Sequence, residues 1–404
     1  MKLQLIIVCG ILYPNPSPTG LCALRYASLL KEDYEIEFIS LSSKGYAEDV
    51  DYEGFRVHTL TSKRLSLECR TKGLVRKVIH GIGSLQLKFF LTGNLGWYRR
   101  AVRNKLEQMH YKQPIDAILT ICSPFPAHQA GMDFKQKHQE VRFCAYTVDP
   151  FATPNRIVPF GRKYKDLIAL ESKVCESTDC LFLSEEALSS RQDVYGRVPN
   201  VTALPYLLPE AKPGRNDYFD NGAINCVYAG SFYKDLRNPE FMLKVFSVME
   251  NQNIVLHLFS SGCDEMVRHY AQKTDKIVMH GYVSQNELRD IYSSSDFLVG
   301  VGNATHEFLP SKTYEYLSLR RPIIFFNPKG FHNEVLDAYP HSLQLSDETM
   351  IDKASMQLES FINEKQGASI SYDELSDFYH SNTPTNIKAI LLKGLSNQTN
   401  KQKR

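Results

Sequence analysis

The chain has 404 residues, of which 43% are hydrophobic and 23% are charged. This length and apolar content predict two domains with separate cores and exclude a disordered protein. The formal net charge is only +2, which argues against a general nucleic-acid-binding protein.

The nine cysteines are scattered, with no CxxC pair and no Cys/His cluster at metal spacing, so we expect reduced thiols. The initial apolar run, Leu3–Ile7, is too short for a signal peptide and predicts a first strand. No segment reaches the roughly 20 apolar residues of a transmembrane helix. We therefore expect a cytoplasmic protein, with peripheral attachment to the inner face of the membrane as the alternative.

Short apolar runs alternate with longer segments of helical spacing along the chain, which predicts parallel strands covered by helices on both faces. The strands predicted in the first half are Leu3–Val8, Glu35–Leu41, Ile115–Ile121, Val141–Val148, Cys180–Leu183 and Val201–Leu204. Those predicted in the second half are Ile224–Tyr228, Ile254–Phe259, Ile277–Met279, Phe297–Val301 and Pro322–Phe326. Ser284 and Glu287 form a capping box ahead of one helix of the second half.

Between the halves, a stretch rich in Pro, Gly, Asn and Asp is typical of a linker. We predict an N-terminal acceptor-binding domain over residues 1–205, a linker over 206–222 and a C-terminal donor-binding domain over 223–380. Residues 381–404 are predicted to form a final helix that can cross back to the first domain, with a frayed basic tail. The predicted fold class is α/β, with two Rossmann-like, doubly wound parallel-sheet domains facing across a cleft.

One segment of the first half is strongly basic. Lys63–Lys112 holds twelve lysines and arginines against Glu68 and Glu107, an excess of 12 − 2 = +10, with apolar residues between them. This pattern is typical of a solvated helical face with core residues behind it. The alternative is a surface for anionic lipid or a phosphorylated acceptor.

Polar and basic residues follow the first strand of the second half. Gly230 permits close approach of the backbone to a ligand, Ser231 adds a hydroxyl, and Lys234 and Arg237 offer charges to a diphosphate. Considered alone, this segment is more typical of a surface loop with incidental cations.

A second loop carries two glutamates, Glu307 and Glu315, on either side of Pro310. If Pro310 begins a helix, Glu307 lies in the loop and Glu315 in the second turn. The free N–H groups near Ser311 and Lys312 then form an anion site between the carboxylates. This arrangement suits a sugar diphosphate, and the alternative is a pair of solvated glutamates favoured by the helix dipole.

Taken together, these segments resemble the donor domain of the large retaining glycosyltransferase family marked by Glu-x7-Glu (family 4-like, group 1), which has the GT-B fold. The resemblance is carried in the family's order by Tyr228–Ser231, Arg237–Glu240, His280–Val283 and Pro310–Leu317. It implies transfer of a sugar from a nucleotide-diphosphate donor with retained configuration, with no metal and no other cofactor. The expected acceptor is a glycan or a lipid-linked glycan of polysaccharide or glycolipid biosynthesis.

The resemblance also implies roles for the matching residues. Glu307 would hold the donor sugar and Glu315 the ribose. The residues placed at the diphosphate are Lys234, Arg237, Gly230, Ser231, Leu309, Pro310, Ser311 and Lys312, and those at the base are Tyr282 and Val283.

The first half resembles the family's acceptor domain more weakly. Gly20 would allow backbone to approach the donor phosphate or the acceptor, and the alternative is a turn glycine. His128 would orient a sugar hydroxyl or share a proton, and the alternative is a histidine whose hydrogen bonds are satisfied within the fold.

Two other functions fit the same architecture. A sugar-nucleotide epimerase would also need a diphosphate cradle. A non-catalytic glycosyltransferase-like protein would bind a sugar nucleotide or a partner, although Glu307, Lys234 and Arg237 are all retained. A nicotinamide oxidoreductase is disfavoured, because Gly300-x-Gly302 lacks a third glycine.

Overall fold

The computed structural model describes residues 2–73, 75, 77, 95–153, 158–211, 213–281, 283–304 and 312–396. The chain divides into two compact units, Met1–Pro205 with Thr385–Arg404, and Tyr206–Pro384. Each unit contains a largely or wholly parallel sheet with helices packed against it. The predicted α/β class is confirmed.

The first unit has strand order β3-β4-β2-β1-β5-β6-β7-β8, and all neighbours are parallel except β3 and β4. Its described strands are β1 (Leu3–Val8), β2 (Tyr34–Leu41), β3 (Asp49–Tyr52), β4 (Phe55–Leu60), β5 (Ala117–Cys122), β6 (Arg142–Thr147), β7 (Cys180–Leu183) and β8 (Val201–Ala203). Its described helices are α1 (Pro18–Leu30), α2 (Lys63–Arg70), α3 (Gly96–Lys112), α4 (Pro126–Lys137), α5 (Tyr164–Glu176), α6 (Glu185–Ser190) and α7 (Gln192–Tyr195).

The second unit has strand order β11-β10-β9-β12-β13-β14, and every neighbouring pair is parallel. Its described strands are β9 (Ile224–Ser231), β10 (Ile254–Ser261), β11 (Ile277–Met279), β12 (Phe297–Val301), β13 (Ile323–Asn327) and β14 (Ser342–Ser346). Its described helices are α8 (Glu240–Val248), α9 (Asp264–Ala271), α10 (Gln285–Ser294), α11 (Lys312–Ser318), α12 (Ile351–Lys365) and α13 (Tyr372–Phe378). Numbered from β9, the order is the 3-2-1-4-5-6 of dinucleotide-binding folds, which reverses between β9 and β12.

The last helix, α14 (Pro384–Leu395), packs on the first unit. The carbonyl oxygen of Gly394 accepts a hydrogen bond of 3.0 Å from Nε of Arg142. A Cβ atom at Gly394 would lie 2.2 Å from Phe182, so only glycine allows this approach of helix to strand.

The segment predicted as a linker packs on the second unit. The backbone N–H of Gly214 donates to Oγ of Ser293 at 2.8 Å, and the Phe219 ring lies 4.3 Å from that of His257. Irregular, Pro- and Gly-rich backbone therefore covers part of the second sheet here.

Two local features bear on expectations from the sequence. The capping box ahead of α10 is confirmed at its Ser284 end, where the side chain accepts the Glu287 N–H at 3.3 Å.

Within the described parts of the chain, no helix combines the length and apolar character needed to cross a bilayer.

Candidate functional site

A small cavity lies in the second unit, where the strand order reverses between β9 and β12. Because helices leave such neighbouring strands toward opposite faces, a crevice opens at their carboxyl ends, and ligands bind there in open α/β sheets. The described residues that line the cavity are Tyr228, Arg237, Gly300, Val301, Lys312, Thr313, Tyr316 and Phe325.

Gly230 lies beside two residues that line this cavity. A Cβ atom at this position would lie 3.2 Å from the Tyr228 hydroxyl and 3.7 Å from Cε of Lys312, so a side chain would enter the space between them. Ser231 follows, with its Oγ 3.1 Å from Oγ of Ser261. A side chain at position 230 would therefore crowd Tyr228 and Lys312.

Arg237 reaches the cavity from the loop after β9. Its backbone forms a tight turn with Tyr233, through an Arg237 N–H to Tyr233 carbonyl bond of 2.7 Å and a return bond of 3.1 Å. The guanidinium donates to Oδ1 of Asn303 from Nε at 3.1 Å and from Nη2 at 2.9 Å. Sequence reasoning missed Asn303, because no spacing or motif marks it.

Lys312 reaches the same cavity from the start of α11. Its Nζ donates to the Tyr292 hydroxyl at 3.3 Å and lies 6.0 Å from the centre of the Tyr316 ring. Burial lowers the pKa of Lys312, the charge of Arg237 lowers it further, and Glu315 acts in the opposite direction. Neither cation forms a salt bridge with any carboxylate that the structure describes, so the cavity is suited to an anion.

Other predicted donor-site residues lie around this cavity or outside the described chain. Lys234 is exposed and does not line the cavity, so Lys312 is the cation that accompanies Arg237 there. Glu315 is half-buried in the first turn of α11, and Val283 is half-buried against the core on the α10 side of the sheet. The predicted site residues outside the described residues are Tyr282, Glu307, Leu309, Pro310 and Ser311.

A chain of hydrogen-bonded side chains ends beside the residues predicted to border the base. Nε2 of His257 lies 2.9 Å from Oδ1 of Asn225, and its Nδ1 lies 2.9 Å from Nε2 of His280. The Asn225 amide nitrogen donates elsewhere, so His257 must donate to Asn225 and accept from His280. Burial lowers the pKa of His257 to about 4 and also lowers that of His280, which keeps both rings neutral at pH 7.

The two predicted site residues of the first unit have structural roles. A Cβ atom at Gly20 would lie 2.1 Å from the Ile11 carbonyl oxygen, so this glycine lets α1 pack on the preceding chain. His128 is 1% exposed, and its ring nitrogens lie 2.7 Å from Oγ1 of Thr120 and 3.3 Å from Oγ1 of Thr147. Burial lowers its pKa to about 3. The alternative of a satisfied core histidine therefore describes His128.

One group of described side chains has the composition of a metal site: His110, His138 and Glu140. Nε2 of His138 lies 3.1 Å from the Glu107 carboxylate, an arrangement common behind zinc ligands. However, the Ile115 N–H donates to Nδ1 of His110 at 3.0 Å, which places the proton of the neutral ring on Nε2, the atom that faces Glu140. That nitrogen offers no lone pair to a cation, and we assign no metal to the cluster.

Comparison with known proteins identifies the second unit. Residues 223–355 match the family model described as glycosyl transferases group 1. This segment is a group 1 glycosyl transferase domain. No curated protein sequence matches the chain.

Solved structures extend the similarity over both units of the glycosyltransferase. A sucrose-phosphate synthase from Thermosynechococcus elongatus has a TM-score of 0.68 at 10% identity, with 96% of this chain and 98% of that chain covered. The α,α-trehalose 6-phosphate synthase of Burkholderia multivorans has a TM-score of 0.62 at 13% identity, with 98% of each chain covered. A structure described as trehalose-6-phosphate from E. coli bound with UDP-2-fluoro glucose has a TM-score of 0.63 at 13% identity, covering 96% and 98%. At these identities the likeness establishes the GT-B fold, as predicted.

The lowered pKa of Lys312 predicts that anion binding depends on pH. The charged ammonium binds an anion and the neutral amine does not, so affinity should fall as pH rises, beginning below the ordinary lysine value of 10.5. The measurement is the Kd of pyrophosphate by calorimetry between pH 7 and pH 10 for the wild type and for Lys312→Arg. Because arginine stays charged, the ratio of the two Kd values should change with pH, and the ionisation of the probe cancels in that ratio. Lys234→Arg is the control, and a constant Lys312→Arg ratio would contradict the assignment.

The burial of His128 predicts a loss of stability in acid rather than a catalytic effect. Its pKa is lowered from 6.5 to about 3, so the unfolded chain binds a proton below pH 6.5 while the folded protein does not. At pH 5 this linkage removes about 2 kcal/mol of stability. His128→Gln should therefore reduce the decrease in the free energy of unfolding between pH 7 and pH 5, measured by urea denaturation. The same substitution at the exposed His269 should not reduce it. A large fall in kcat with an unchanged slope would restore the catalytic interpretation.

Proposed function

We propose that this glycosyltransferase transfers a sugar from a nucleotide-diphosphate donor to an acceptor hydroxyl, with retention of the anomeric configuration. The observation that carries the proposal is the cavity at the β9–β12 switch point, which Arg237 and Lys312 both line and where neither forms a salt bridge with a carboxylate of the described residues. All nucleotide-diphosphate donors share a diphosphate group. Two cations in one cavity suit this group.

Cleavage of the donor leaves negative charge on the diphosphate, and cations already in place stabilise that charge in the transition state. The Arg237 guanidinium suits two phosphate oxygens at once, while the Lys312 ammonium acts as a point charge. Asn303 and Tyr292 accept hydrogen bonds from these groups and so orient them.

The carboxylates complete the proposed donor site. Glu315 lies three residues after Lys312, on the same side of α11, within reach of a ribose whose diphosphate contacts Lys312. Glu307 is proposed to hold the donor sugar. The acceptor hydroxyl is proposed to attack from the leaving-group face as the bond from the anomeric carbon to the diphosphate breaks. Its proton would pass to the departing phosphate oxygen, with no protein nucleophile and no metal.

The acceptor is proposed to be a glycan or a lipid-linked glycan, and the surface of α2 supports the latter. None of the α2 residues is buried, and its exposed side chains combine Leu67 with Lys63 and Arg70. Beyond it, Val75 is 55% exposed and lies between the exposed Lys72 and Lys77. By contrast, α3 uses the same basic segment structurally, with Tyr98, Val102 and Leu106 buried in the core.

The proposal is tested by incubating the protein with a panel of nucleotide sugars and acceptors and following nucleotide release, with the anomeric configuration of the product read by NMR. Arg237→Ala should lower kcat/KM roughly a hundredfold because a cation at the leaving group is lost. Glu315→Ala should weaken nucleotide binding roughly tenfold through the lost hydrogen bond to ribose.

Lys234→Ala serves as the comparison, because Lys234 has the same charge class but lies outside the cavity. The family resemblance places Lys234 at the diphosphate, and a loss equal to that of Arg237→Ala would restore that role. Wild-type kinetics in both Arg237→Ala and Glu315→Ala would contradict the donor site. Interconversion of donor sugars would favour an epimerase, and tight binding without turnover would favour a binding protein.

The α2 surface predicts binding to anionic membranes. The protein should co-sediment with phosphatidylglycerol vesicles and not with phosphatidylcholine vesicles, and added salt should weaken the binding because it screens charge. Lys63→Glu combined with Arg70→Glu should lower the affinity by roughly tenfold or more, while Lys329→Glu with Lys353→Glu should leave it unchanged. Absence of binding at low salt would remove the membrane proposal.

A further inference from the structure

We propose that Asn303 is a positioning residue for the donor diphosphate, which orients the Arg237 guanidinium through a neutral oxygen. This inference rests on the proposed function, because it assigns a task to the side chain behind the diphosphate-binding arginine. Asn303 lies in the loop after β12 and is 7% exposed, so it acts through Arg237 rather than by touching the donor.

The contact is directional. A single oxygen, Oδ1 of Asn303, accepts from Nε and Nη2 of Arg237 at 3.1 Å and 2.9 Å, which are adjacent donors on one edge of the planar group. Nη1 also approaches the Ser231 carbonyl oxygen at 3.5 Å. These contacts fix the plane of the guanidinium, and Arg237 lines the cavity together with Lys312.

Both sides of the contact are tied to the fold. The backbone N–H groups on either side of Asn303 are bonded, Gly302 to the Phe326 carbonyl at 2.9 Å and Ala304 to the Leu236 carbonyl at 2.6 Å. The second of these bonds links the Asn303 loop directly to the residue before Arg237. A Cβ atom at Gly302 would lie 2.8 Å from Pro328, so the loop is also closely packed from the side of β13.

The choice of an amide at position 303 has an electrostatic consequence. An aspartate has the same shape and would accept the same two hydrogen bonds, but it would form a bidentate ion pair with Arg237. That pair would offset one of the two cationic charges in the cavity. Asparagine supplies the geometry of the carboxylate without its charge, so the field of Arg237 remains available to an incoming anion.

The test uses the full-length protein and the variants Asn303→Asp, Asn303→Ala and Asn253→Asp. Asn253 is exposed at the start of β10, far along the strand from the cavity, so its substitution controls for net charge. UDP, GDP and ADP are titrated by calorimetry, and the diphosphate that binds the wild type most tightly is used throughout. Asn303→Asp should weaken binding by roughly tenfold, the scale of one charge-assisted contact, and Asn253→Asp should leave it within twofold.

A second arm separates positioning from a structural role. In the Arg237→Ala background, Asn303→Ala should change the Kd by less than twofold, because the group that Asn303 orients is gone. A loss caused by misfolding would persist in that background and would appear as a lowered Tm. Asn303→Ala should raise the KM for donor with little change in Tm if orientation alone is lost.

The outcomes distinguish this inference from the proposed function. If the wild type binds none of the three diphosphates, the proposed function fails and this inference fails with it. If the wild type binds one and Asn303→Asp binds it equally well, only the role of Asn303 is overturned. An equal loss on Asn303→Ala in the wild-type and Arg237→Ala backgrounds would also overturn it.

Discussion

Two positive charges line one cavity of the second unit, and among the described residues neither forms a salt bridge with a carboxylate. Arg237 comes from the loop after β9 and Lys312 from the start of α11, and both line the crevice at the switch point. Burial and mutual repulsion oppose charge on Lys312, as its lowered pKa records. A bound anion would oppose this repulsion.

Several features of the second sheet make this arrangement attainable. The strand order reverses between β9 and β12, so the crevice exists before any side chain is considered. Gly230 leaves the space between Tyr228 and Lys312 open, and the Tyr316 hydroxyl accepts the Ala229 N–H at 3.4 Å behind the site. Neutral acceptors, an amide at Asn303 and a hydroxyl at Tyr292, hold the cations without cancelling them. Side chains around the cavity thus orient the two cations, and the glycine at position 230 leaves space beside them.

Much of the fold could be predicted from the sequence, since buried parallel strands are apolar runs and helix starts follow local capping rules. The strands that sequence analysis missed are β3, β4 and β14, each with polar residues and two of them at sheet edges. Site residues outside a recognisable motif are equally hard to predict from the sequence. Arg237 stood out because it follows a strand within a motif, whereas Asn303 has meaning only through a contact 66 residues away in sequence.

Residues of the first unit show why a single sequence does not separate catalytic from structural roles. Gly20 and His128 occupy positions where ligand contacts were expected, yet tight packing and hydrogen bonds within the unit account for both. A histidine after a strand has the same sequence pattern whether its ring faces solvent or the core, and only burial decides between them.

The most direct measurement is an experimental structure of the protein with a bound nucleotide sugar. The account predicts that the diphosphate lies at the β9–β12 switch point, with phosphate oxygens within hydrogen-bond distance of the Arg237 guanidinium and the Lys312 ammonium, and with Asn303 still behind Arg237. A diphosphate bound elsewhere, or one whose oxygens contact neither cation, would contradict the account.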